Sequence, residues 1–179
     1  DRSPSRGLGD VYKRQKQCGV LVRDHIPITV QEWHKPNGDN AEGITYVGDV
    51  AKATLFKKVM VNFTLPTPEV DENENEEILE QMKLALVEEV KAFTLRKMAQ
   101  QFTNWKKRLH LEFIKKDKTP DFTGAYEKIK PFWADFVKYK KSEDALIRSE
   151  KNKKNAAKKI YHHTMGLAGY KGSLPKWEK

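Results

Sequence analysis

EEILEQMKLALVEEVKAFTLRKMAQQFTNWKKRLHLEF, residues 76–113, decides the fold class. Leu79, Met82, Leu86, Val90 and Phe93 recur at steps of three and four, the spacing that places side chains on one face of an α-helix. The pattern resumes with Met98, Phe102, Trp105, Leu109 and Phe113. Between Phe93 and Met98 the step is five, so the apolar face rotates. The sequence allows either a break near Thr94 or two packed helices. The run is too short and too aromatic to favour a coiled-coil dimer. The opposite face of its second half reads as basic, with Lys106, Lys107, Arg108, Lys115 and Lys116.

Downstream, Pro120 and Gly124 mark a loop over 117–124. Pro131 suits the first position of a helix, because its missing N–H would be unpaired there anyway. Phe132, Trp133, Phe136 and Val137 then form a face to be buried. Trp105, Trp133 and Phe136 at helical spacing are core residues. Ser142 is the expected N-cap of a further helix, with Glu143 and Asp144 in its first turn. Leu146, Ile147, Ala156, Ile160 and Tyr161 are expected to face inward. Arg148, Lys151, Lys153, Lys154, Lys158 and Lys159 spread around the remainder, against one acid, Glu150. Asn152 and Asn155 stand three apart and share a face. Asn can pair with adenine in the major groove, and Lys or Arg can reach guanine or phosphate. The competing reading is a helix whose lysines are merely solvated. His162 and His163 suit a helix C-terminus, and Gly166, Gly169 and Gly172 open an extended tail.

Upstream, Leu55, Val59 and Phe63 recur at four within 50–63, a short amphipathic helix that Pro66 and Pro68 cannot continue. Residues 69–80 hold seven acids and no base, a solvated linker entering the helix. Ile26, Ile28 and Val30 alternate as in a strand or an extended chain, and Pro27 disfavours a central strand. Pro36-Asn37-Gly38-Asp39 signals a turn. His25 and His34 lack the neighbouring ligands a metal site needs. Residues 10–15, DVYKRQ, read like a translated sequencing-library adaptor, and the chain does not begin with Met. The alternative for residues 1–15 is a natural basic tail. The expected organisation is a tail over 1–17, a turn-rich arm with one short helix over 18–75, a helical domain over 76–170 and an extended tail over 171–179. The fold class is mostly α, with four to five helices.

Charge separates the chain more sharply than its net +9 suggests. Residues 1–90 carry 11 basic and 16 acidic side chains; residues 91–179 carry 23 and 9. A second half at +14 points to nucleic acid, with an acidic membrane surface as the weaker partner. The one cysteine, Cys18, excludes an internal disulfide and a thiolate metal cluster. No apolar run approaches transmembrane length, and no secretory signal is visible.

The order of several short pieces resembles a known family. Trp133-x-x-Phe136-Val137, Ser142, Ser149-Glu150-Lys151-Asn152-Lys153-Lys154-Asn155, His162-His163 and Gly166-x-x-Gly169-Tyr170 resemble the transposase-associated domain of Ptta/En/Spm plant transposons. Phe102-x-x-Trp105-Lys106-Lys107-x-Leu109 and Thr119-Pro120-Asp121-Phe122 fit the same pattern. The resemblance covers residues 94–179, more loosely from Ile26. It implies a nuclear, DNA-binding role beside a separate catalytic transposase subunit that carries the acidic triad.

The chain has no phosphate-cradling glycine motif and no H-E-x-x-H pair. Asp121, Asp135 and Asp144 are not spaced to converge on metal ions. The expectation is therefore a non-catalytic domain without cofactor that binds double-stranded DNA, transposon ends in particular. Arg148, Asn152 and Asn155 are the candidates for base reading; Lys151, Lys154, Lys158, Lys159, Lys106 and Lys107 are those for further DNA contact. The alternative is a helical protein-interaction or oligomerisation module.

Overall fold

A computed structural model of the chain describes residues 4–37, 43–63, 65 and 76–158. The architecture is mostly α, as expected. The α-helices are α1 (Pro4–His25), α2 (Asp49–Met60), α3 (Glu76–Glu112), α4 (Trp133–Lys141) and α5 (Glu143–Ala157). Two 3-10 segments, Ile114–Lys116 and Gly124–Phe132, link α3 to α4. Among the described residues there is no β-strand, only an isolated parallel bridge between Glu32 and Tyr46. No described helix is long and apolar enough to cross a membrane. The chain divides into two compact units, one ending at Lys138 and one beginning at Tyr139.

The five-residue step near Thr94 does not break the helix. α3 is continuous over 37 residues, about 55 Å at 1.5 Å per residue. Its buried stripe begins at Thr94, not Phe93, and runs through Met98, Phe102, Trp105 and Leu109. Thr94 is 1% exposed, whereas Phe93 is 41% exposed. The Thr94 hydroxyl has no hydrogen-bond partner among the described residues.

Two apolar clusters share this stripe. Met98 and Phe102 pack with Cys18, Val22 and Ile26 from α1 and the residue after it, Trp33 and Val47 from the turns, and Leu55 and Val59 from α2. Trp105 and Leu109 pack with Ile28, Ile114, Ile129, Trp133 and Phe136. Trp105 stacks on Tyr126 with 9° between the rings, and Phe113 meets Tyr126 and Trp133 edge-on. The expected core roles of Trp105, Trp133 and Phe136 hold.

The segment expected as an arm therefore shares its core with α3. Residues 26–48 are turn-rich, and Ile26, Ile28 and Val30 form no strand: the Val30 N–H bonds the Pro27 carbonyl, as in a turn. Gln31 and Glu32 donate to the Thr45 carbonyl, and Val47 donates to Glu32, closing the loop on itself. Lys106 fastens that loop to α3. Its Nζ donates to the carbonyls of Val30 at 2.8 Å and Gln31 at 2.7 Å.

α1 was not expected: residues 4–25, read as a tail and the start of an extended arm, are helical. Backbone within the proposed 1–17 tail is helical from Pro4, and the Arg14 guanidinium lies 5.4 Å from the Phe63 ring centroid. α2 carries Leu55 and Val59 inward as its spacing predicts, and stops at Met60, ahead of the prolines. Gly38 and Asp39 of the expected turn lie outside the described residues. Pro131 does not open α4: it sits within the preceding 3-10 segment, two residues before Trp133. Gly124 starts that segment at φ +52, a backbone state glycine adopts without a Cβ clash.

Candidate nucleic-acid interface

The second unit carries α5, whose run from Arg148 to Lys154 holds four basic side chains. Ser142 caps it as expected. Its backbone is extended, and its Oγ accepts from the Ala145 N–H at 3.4 Å while donating to the Tyr139 carbonyl at 2.8 Å. Glu143 and Asp144 occupy the first turn, at the positive end of the helix dipole. Cap and acids fix where the helix starts and hence which side chains align along it.

At 100° per residue, α5 sorts into rows. Ile147, Lys151, Lys154 and Lys158 form one. Arg148, Asn152 and Asn155 form the adjacent one. Together the rows set Arg148, Lys151, Lys154 and Lys158 beside Asn152 and Asn155 on one side, all exposed. Lys153 lies elsewhere on the helix and pairs with Glu150 at 2.6 Å, taking up the acid nearest the lysine row. The helix has no buried residue. Leu146 and Ile147, expected to face inward, are 57% and 60% exposed. Fifteen residues with few apolar side chains offer too little area to bury against a core.

The remaining candidates are placed differently. Lys107 is exposed on α3 in the first unit. Lys106 is a correction: it is 8% exposed, its ammonium is 4.1 Å from the Phe102 ring centroid, and it is bound to two carbonyls. It belongs to the core, not to a basic face. Its position four residues after Phe102 was the available signal, since that spacing places both side chains on one side of the helix. Lys159, His162 and His163 lie outside the described residues.

Among the described residues, no group of three His, Cys, Asp or Glu side chains is arranged to hold a metal ion. The His25 Nε2 lies 3.0 Å from the Lys58 Nζ, and Asp121 accepts from the Thr123 hydroxyl at 3.1 Å. Cys18 is buried, and desolvation pushes its thiol above its ordinary pKa despite the nearby Arg14, which favours the uncharged, less nucleophilic form.

Two arginines on the first unit were not anticipated as a pair. Arg23 of α1 and Arg108 of α3 both lie over Trp105, at 5.6 and 4.9 Å from its ring centroid. Their distance in sequence hid the relation. Comparison with protein-family models, with curated proteins and with solved structures finds no match to this chain.

Proposed function

We propose that the chain is a non-catalytic, nuclear DNA-binding module that contacts duplex DNA through α5. One observation carries this reading: a capped helix with no buried residue aligns Arg148, Lys151, Lys154 and Lys158 with Asn152 and Asn155 along one exposed side. Cations at this spacing can neutralise successive phosphates, and the asparagine amides have the donor–acceptor geometry to read adenine. The resemblance to the transposase-associated domain of En/Spm-type elements supports the same reading. It makes transposon ends the DNA to test and a separate transposase subunit the catalytic partner.

The test is a fluorescence-anisotropy titration of the full chain against duplex DNA. Charge reversal in Lys151→Glu/Lys154→Glu weakens binding by at least about tenfold, since two phosphate contacts become repulsions. Circular dichroism shows that the variant keeps its helix content. Unchanged affinity in a folded variant removes α5 from the interface.

A further inference from the structure

We propose that the first turns of α3 form the interface of an antiparallel dimer of this chain. This goes beyond DNA binding and does not depend on it. α3 carries two apolar stripes. The stripe from Thr94 to Leu109 is the one buried in the core. The other consists of Leu79, Met82, Leu86, Val90 and Phe93, and its centre is turned from the first by roughly 120° at 100° per residue. α3 has no buried residue before Thr94. Along the stripe Met82 is 38% exposed and Phe93 41%, while Leu79, Leu86 and Val90 are half-buried; Leu84, off the stripe, is 60% exposed. The part of this stripe that stays in water carries a cost that burial against a partner removes.

The pattern says which partner. The stripe is symmetric about Leu86: Met82 and Val90 lie equally far from it on either side, and so do Leu79 and Phe93. Two copies crossing antiparallel on a two-fold axis at Leu86 therefore set Leu86 against Leu86, Met82 against Val90 and Leu79 against Phe93. An isologous interface requires this self-matching, and an unrelated partner does not.

Charge selects the direction. The segment begins with Glu76 and Glu77 and ends with Arg96 and Lys97. Antiparallel pairing brings the acidic end of one helix level with the basic end of the other and opposes the two helix dipoles. Parallel pairing would set glutamate against glutamate. The i,i+3 pairs Lys83–Glu80 at 3.6 Å and Lys91–Glu88 at 3.1 Å stay within each helix.

Sedimentation equilibrium of the full chain, without DNA, tests the proposal. The expected result is a dimer of the 20.8 kDa chain, and a monomer at the highest attainable concentration overturns it. Met82→Glu and Leu86→Glu are made separately. Met82 is exposed enough that its replacement leaves the fold intact, which circular dichroism verifies. Loss of the dimer in both is expected; a dimer surviving either one overturns the assigned face. Direction is read by mixing Leu79→Cys and Phe93→Cys chains under oxidising conditions, both in a Cys18→Ala background because Cys18 lines the same small cavity as Phe93. Mixed disulfides predominate if the helices run antiparallel, and predominance of either homodisulfide overturns that orientation. Because no DNA is present, failure here and failure of the DNA reading are separate results.

Discussion

Lys106 shows how one side chain can change its role through its neighbours. It opens a basic run, Lys106-Lys107-Arg108, that reads as surface. Yet its ammonium donates to two main-chain carbonyls and rests on the Phe102 ring. Hydrogen bonds from a charged donor are the stronger kind, and removing the donor leaves two carbonyls to be satisfied elsewhere. Lys106→Met keeps the aliphatic stem and loses the donor. It costs about 2–3 kcal/mol of stability, read as a lower urea midpoint, while DNA affinity at a temperature where the chain is folded stays that of the parent. A loss of affinity without a loss of stability would return Lys106 to the binding surface.

At the scale of elements, α3 and α5 solve the same problem in different ways. α3 gains its order from a stripe buried between two aromatic-rich clusters, and its first turns rely on intrinsic propensity and i,i+3 ion pairs. α5 buries nothing, so its ends matter more. Ser142→Ala removes the acceptor for the Ala145 N–H, at a cost of about 1 kcal/mol. Amide exchange at Ala145 then speeds up by roughly fivefold, while amides in the middle of α3 are unaffected. Equal exchange in parent and variant would mean that the cap does not hold the helix start.

The charge asymmetry belongs to the whole molecule. A first half at −5 and a second at +14 make a chain whose attraction for a polyanion comes from one part of it. If α5 displaces counterions through Arg148, Lys151, Lys154 and Lys158, log Kd rises with log salt at a slope of roughly 3–4. Anisotropy titrations at several salt concentrations measure it. A slope near zero would mean that lysine–phosphate contacts do not drive association.

Much of this was present in the chain of letters. The three-and-four spacing specified α3, the step of four specified the inward face of α2, and Ser142 with two acids after it specified where α5 begins. The basic and asparagine rows of α5 followed from the same arithmetic. These are local properties: a helix fixes its own side-chain directions at 100° per residue, whatever else the protein does. Tertiary structure decided the rest. It made α3 one helix by letting Thr94 take the place of Phe93 on the buried side. It drew Cys18, Val22, Trp33 and Val47 into the core with Met98 and Phe102, and it turned Lys106 inward. It left Leu146 and Ile147 in solvent. Which apolar faces find partners, and which cations find carbonyls, depends on contacts between residues far apart in sequence, such as Val30 and Lys106, and no local spacing encodes them.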